Sequence, residues 1–162
     1  MIVRSETPAD FAAIRFVEEA AFGQPAEARL VDDLRAAGDS VFSLVAVDDG
    51  TVIGHAMFSR LQAPFPALAL APVAVRPERQ RTGIGTRLIR EGIVRSEAAG
   101  WRGIFVLGYP AFYRRFGFDV GMASGFTSPY AGPHWMAASL GHSELPVNTG
   151  SIEHAPAFAR PG

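Results

Sequence analysis

Gly83 and Gly85 stand one residue apart, directly ahead of a run whose apolar residues (Ile84, Leu88, Ile89, Ile93, Val94) recur at helical spacing. The start of a helix leaves unpaired N–H groups and about half a positive charge pointing outward. With no Cβ at either glycine, a pyrophosphate can come close enough to accept from several amides of residues 81–86 at once: Arg81, Thr82, Gly83, Ile84, Gly85 and Thr86. Two other side chains bear on chemistry. Tyr113 lies in Gly108-Tyr109-Pro110-Ala111-Phe112-Tyr113-Arg114-Arg115-Phe116-Gly117-Phe118, where Phe112 and Phe116 are one turn apart and face a core. Tyr113 is rotated by about 100° from Phe112 and so points toward a cleft. His55 shares a strand face with Ile53, Met57 and Ser59 by two-residue alternation, and in a partly buried setting it is a candidate base near neutral pH.

The elements that must position these residues alternate in type, without internal repeats. Ile2 to Arg4 reads as a short strand, and Thr7 caps a helix from Pro8 to about Phe22. A second helix covers Ala26 to Ala37 and ends at Gly38. Val41 to Val47, the turn Asp48-Asp49-Gly50, and Thr51 to Leu61 form a hairpin. Ala67 to Val75 is the next strand, and Pro77 bars its continuation. A helix from Thr82 to about Ala99 follows, stopped by Gly100, then a buried strand from Gly103 to Leu107. A short helix runs from Pro110 to Phe116 and stops at Gly117. The rest is rich in Gly, Pro and Ser, apart from a late strand over His134 to Leu140, and the tail after Ala155 reads as frayed.

Composition excludes several classes. The 162 residues, 48% hydrophobic, suffice for one core, so the expectation is a single domain over residues 1–162. A net charge of −1 offers no cationic excess for a nucleic-acid backbone. All fifteen cations are arginine, which removes Schiff-base chemistry and the lysine of a nucleotide-binding P-loop. Without cysteine there is no disulfide, thiolate metal site or cysteine nucleophile. His134, His142 and His154 lack the tight spacing of metal ligands, so no metal is expected. Arg4, Glu6 and Asp10 interrupt any signal-peptide core, and Pro64, Pro66 and Pro72 break the longest uncharged run. A cytoplasmic protein that does not engage a membrane is the simplest expectation.

Gln80-x-x-Gly83-x-Gly85 after a strand ending Val75-x-Pro77, followed by Phe112-Tyr113-x-x-Phe116-Gly117-Phe118, resembles the two signature blocks of the GNAT superfamily of acyl-CoA-dependent N-acetyltransferases. Gly54-His55 with Phe58-Ser59, Leu107-Gly108-Tyr109-Pro110 and the closing Gly150 to Phe158 region look most like the YhbS-like subgroup. The resemblance implies a mixed α/β (α+β) fold with a central, mostly antiparallel, splayed sheet flanked by helices. It implies acetyl-CoA as cosubstrate, its pyrophosphate held by the amides of 81–86. Val73, Ala74 and Val75 would pair with the pantetheine arm, and Tyr113 would protonate the departing thiolate. A phenol with pKa near 10 suits a thiol leaving group. Because Pro72 has no N–H, the amide of Val73 is the expected donor to the thioester carbonyl.

The chain departs from a common family pattern at the base. Many members carry a glutamate on the central strand, whereas Leu68-Ala69-Leu70-Ala71-Pro72-Val73-Ala74-Val75 has no acid. His55, Glu27 and a water held by backbone carbonyls are the candidates, with His55 ranked first. The expected reaction moves an acetyl group from acetyl-CoA to a primary amine, of a small molecule or a peptide, by direct attack in a ternary complex. A non-catalytic acyl-CoA-binding module is the alternative, and a homodimer stays open. The acceptor and the acyl-chain preference are not written in the residues.

Overall fold

The computed structural model describes residues 1–159. They fall into two compact units: Met1–Ser59 with Ala71–Gly92 and the residues from Pro156 onward in the first, Arg60–Leu70 with Ile93–Ala155 in the second.

In the first unit, β1 (Ile2–Ser5) pairs antiparallel with β2 (Ser40–Asp48), which pairs antiparallel with β3 (Thr51–Gln62). The β2–β3 ladder reaches Asp48↔Thr51, so Asp49 and Gly50 alone make the turn. Both have positive φ, 50° and 74°, the mirror-image turn whose twist matches a hairpin. The last residues of β4 (Ala67–Val75) continue the order β1-β2-β3-β4. Thr7 and Asp10 form a capping box over a 3₁₀ turn at Pro8–Asp10, which leads into α1 (Phe11–Phe22). After α2 (Ala26–Ala36) comes Gly38 at φ 75°. The two faces of β3 meet different helices. Space at Gly54 is closed by Ile84 and Leu88 of α3 (Ile84–Ala98), whereas His55, one residue on, meets Glu18 of α1.

In the second unit the order is β3-β4-β5-β7. The early residues of β4 run parallel to β5 (Gly103–Leu107), from Ala67↔Gly103 to Ala69↔Phe105. On its other side β5 pairs antiparallel with β7 (Trp135–Ser139) along its whole length, to Leu107↔Trp135. The last two residues of β5 are thus carried by β7, as a splayed sheet requires. Phe105 centres an aromatic core, 5.2 Å from the Trp135 ring and 5.4 Å from Phe126. Beyond β5 come α4 (Pro110–Tyr113), a 3₁₀ turn at Arg114–Phe116 and α5 (Val120–Ala123). Short strands β6 (Phe126–Thr127), β8 (Gly150–Ser151) and β9 (Glu153–His154) complete the unit. The whole is a mixed α/β fold with a mostly antiparallel sheet flanked by helices.

Three sequence expectations need correction. The central helix begins at Ile84, not Thr82, because Gly83 sits at φ 87° and its carbonyl accepts the first helical bond, from Arg87 N–H at 3.1 Å. The tail is not frayed over Pro156–Ala159, a 3₁₀ turn that packs on α2 with Ala157 buried; residues 160–162 lie outside the described residues. The Gly/Pro/Ser-rich region contains α5 and three two-residue strands, too short to show any period. No described helix is long and apolar enough to cross a membrane.

Candidate active site

The loop between β4 and α3 is held from both ends. Arg76 N–H donates to the Ile53 carbonyl at 2.9 Å, and its Nε to the Val52 carbonyl at 3.0 Å, fixing the strand end. Gln80 Nε2 donates to the Val75 carbonyl at 3.0 Å. Arg79 pairs with Asp48 beside the hairpin turn. Arg81 at φ 65° and Gly83 at φ 87° then turn the chain in the left-handed region ahead of the helix. Among the described residues, the amides of 81–86 have no protein acceptor. Arg81, Thr82 and Gly83 are exposed and Gly85 is half-buried. A Cβ at Gly85 would stand 3.8 Å from Val75 Cγ2, so its glycine is not demanded by packing. What remains is a run of unpaired donors at the start of a fifteen-residue helix, suited to an anion such as pyrophosphate.

In the second unit, Tyr113 ends α4, with its N–H bonded to the Tyr109 carbonyl at 3.1 Å. Its ring is half-buried among Phe112, Phe116 and Phe118, at centroid distances of 5.0, 6.4 and 5.7 Å. The hydroxyl has no protein partner among the described residues and is not sealed from solvent. Burial raises its pKa, so the phenol carries its proton at neutral pH. Arg114 and Arg115 are exposed; Arg115 lies over the Phe112 ring, its guanidinium carbon 4.6 Å from the centroid.

His55 is not in the partly buried setting expected for it. Its side chain is fully enclosed, and both ring nitrogens are engaged: Nδ1 lies 2.7 Å from Glu18 Oε2 and Nε2 lies 2.8 Å from Ser43 Oγ. The hydrogen bonds continue. Ser43 Oγ donates to Glu6 Oε1, and Arg35 donates to both Glu6 oxygens at 2.9 Å. Burial works to raise the Glu6 pKa, but the bonds from Arg35 and Ser43 outweigh it and keep Glu6 ionised.

This geometry fixes a proton count. Ser43 has one hydroxyl hydrogen, and Glu6 takes it, so Nε2 of His55 must be a donor to Ser43. The contact between Nδ1 and Glu18 requires a proton as well. The Glu18–His55 pair therefore holds one proton more than an ionised glutamate beside a neutral imidazole. Burial raises the Glu18 pKa, with the His55 bond opposing, which agrees in direction. Glu18 Oε1 is left without a hydrogen-bond partner, but the pair is fully enclosed and offers no surface for an incoming amine.

Sequence reasoning missed Glu18, Ser43, Glu6 and Gly108. Glu18 was detectable, since it continues the buried stripe Ile14–Val17 of α1, where a lone carboxylate demands a partner. Glu27 is half-buried and accepts from Gln24 at 3.1 Å. A cavity of about 660 Å³ in the second unit, lined by Asp119, Met122 and residues 144–149 among others, contains none of the predicted site residues. Among the described residues there is no group of three His, Asp or Glu side chains that could hold a metal ion.

Known proteins share this fold. Residues 9–118 match the model of the acetyltransferase (GNAT) family. The uncharacterized N-acetyltransferase YjhQ of Escherichia coli (strain K12) is 38% identical, over 81% of this chain and 80% of its own. The crystal structure of the E. coli GNAT family N-acetyltransferase YhbS in complex with CoA superposes with a TM-score of 0.92 at 32% identity, covering 99% of this chain and 93% of that one. A GNAT family acetyltransferase from Brucella melitensis in complex with acetyl-CoA gives 0.83 at 38% identity, over 97% of both chains. The chain belongs to the GNAT family of acetyltransferases and is an N-acetyltransferase.

Proposed function

We propose that this enzyme transfers an acetyl group from acetyl-CoA to a primary amine by direct attack in a ternary complex, with residues 1–162 acting as one catalytic domain. The observation that carries the reading is the set of partnerless amides at 81–86, formed by the left-handed turn at Arg81 and Gly83 and the start of α3. These amides hold the pyrophosphate, and Val73, Ala74 and Val75 pair with the pantetheine arm. The Val73 amide receives the thioester oxygen as negative charge develops on it. Tyr113 donates its phenolic proton to the sulfur as the new C–N bond forms and the C–S bond breaks, then recovers a proton from solvent. The amine yields its proton to water, because the proton count of the Glu18–His55 pair takes His55 out of the base role. CoA complexes of YhbS and of the Brucella protein support the choice of cosubstrate.

The test joins binding to turnover. Acetyl-CoA titrated calorimetrically against the wild type and Gly85→Asp should bind the first, and bind the variant at least about 30-fold more weakly, since a carboxylate would stand where a pyrophosphate belongs. Equal affinity would refute the loop assignment. Thiol release with a panel of amines then reports turnover, and with no cysteine in the chain all thiol comes from the cosubstrate. Tyr113→Phe should lower kcat by 10²–10⁴ with binding intact, and a loss under about threefold removes Tyr113 from the donor role. The carboxylate-free strand favours one second reading, a non-catalytic acyl-CoA-binding module, which requires binding with no thiol released by any amine.

A further inference from the structure

We propose that Gly108 is a positioning residue for Tyr113: the space left by its missing side chain is the seat of the Tyr113 ring, and it sets where the phenolic hydroxyl points. The inference rests on the proposed role of Tyr113 as proton donor.

Gly108 is not a glycine for backbone reasons, since it is absent from the glycines with positive φ. The reason is the ring. A Cβ at this position would stand 2.9 Å from Tyr113 Cδ2, 3.4 Å from Cζ and closer still to Cε2, where nothing can remain in place. Both backbones are tied by hydrogen bonds. Gly108 N–H is bonded to the His134 carbonyl at 2.9 Å, and Tyr113 N–H to the Tyr109 carbonyl at 3.1 Å. Phe118 stands edge-on to the ring with centroids 5.7 Å apart, and Phe112 likewise at 5.0 Å. The adjustment falls on the side-chain torsions of Tyr113. Restoring ordinary carbon–carbon contact of about 3.5 Å moves the ring edge by about 1 Å. A turn about Cβ–Cγ would leave the hydroxyl on its axis, but the Phe112 and Phe118 rings packed against Tyr113 oppose it; a turn about Cα–Cβ carries the hydroxyl, farther out on that lever, at least as far as the ring edge. A displacement of that size at a reacting group costs on the order of 10²-fold in rate.

The experiment is a double-mutant cycle read in kcat and in the KM for acetyl-CoA, using the amine that gives the highest turnover in the panel. Gly108→Ala should lower kcat by about 30- to 100-fold and change the KM for acetyl-CoA by less than about twofold. Placed on Tyr113→Phe, it should cost less than about a further threefold, because the hydroxyl it misplaces is already gone. A general disturbance of the fold would lower both backgrounds equally, which would overturn the inference, as would a kcat within threefold of wild type for Gly108→Ala alone. An unchanged kcat in Tyr113→Phe alone overturns the donor role itself, so the two failures are read from different variants. Should Gly108→Ala not fold, Gly108→Ala with Tyr113→Ala removes the obstructing ring: recovered folding supports the seat, and continued failure refutes it.

Discussion

Replacing Glu18 with glutamine tests the proton count directly. In the unfolded chain above a pH of about 6.5, the glutamate is ionised and the histidine neutral. The folded pair keeps one proton more, so the native state binds more protons than the unfolded one, and stability must fall as pH rises. The sign agrees with Glu18 itself, a carboxyl raised by burial, whose contribution is complete at low pH and lost as pH climbs through the folded value. One extra proton makes stability fall by roughly 1.4 kcal/mol per pH unit for as long as the folded pair holds it. In Glu18→Gln the amide nitrogen donates to Nδ1, Nε2 still donates to Ser43 and Ser43 to Glu6, so each bond survives without the extra proton. Urea unfolding at pH 6.5, 7.5 and 8.5 should show the variant gaining on the wild type as pH rises, by up to roughly 1.4 kcal/mol per pH unit, other groups cancelling in the difference. A difference that stays flat to within about 0.7 kcal/mol would refute the extra proton. Glu18→Ala is the contrast: it leaves Nδ1 facing a void and should cost about 3–5 kcal/mol at pH 6.5.

Two further outcomes follow from other sites. Burial lowers the His154 pKa to about 4, so protonation from pH 6.5 down to 4 favours the unfolded chain. Stability should drop by about 1 kcal/mol between pH 6.5 and 5, allowing for partial exposure, and His154→Gln should flatten that limb in the same urea series; an unaltered limb would contradict the assignment. Gly92→Ala sets helix propensity against packing. Alanine is worth about 1 kcal/mol in a helix interior, but its Cβ would stand 3.0 Å from Cε2 of the fully buried Phe58 and closer to Cζ. Overpacking of about 1–3 kcal/mol should win, so thermal unfolding should show a lower midpoint, and a raised one would mean that Phe58 repacks freely.

What could be read from the residues was local. The Asp49-Gly50 turn, the Thr7 cap and the stops at Gly38 and Gly117 each rest on chemistry confined to a few neighbouring positions, and each stands where the sequence puts it. The glycine loop was legible for the same reason, since its donors are backbone groups of consecutive residues. His55 was legible only by face. That it meets Glu18, 37 residues away, and Ser43, twelve away, depends on α1 docking across β2 and β3, which no local pattern encodes. Gly108 resembled an ordinary turn glycine, and only the position of the Tyr113 ring separates a need for space from a need for φ. The two-residue strands after Phe118 are defined by their partners and leave no mark in periodicity.

The division of the chain into two units bears on inheritance. The first unit, which holds the glycine loop, contains Met1 and also the described residues from Pro156 onward, so it owns both ends of the described chain. Any single recombination crossover between two relatives therefore gives that unit mixed parentage. A crossover within Ile93–Ala155 also gives mixed parentage to the second unit, which holds Tyr113. β3, β4 and α3 each contribute residues to both units, so even a double exchange must cut through an element of regular structure to move one unit intact. A crossover that separates the anion-binding loop from the tyrosine block therefore divides both units, and new acceptor preferences are reached by point substitution more readily than by shuffling.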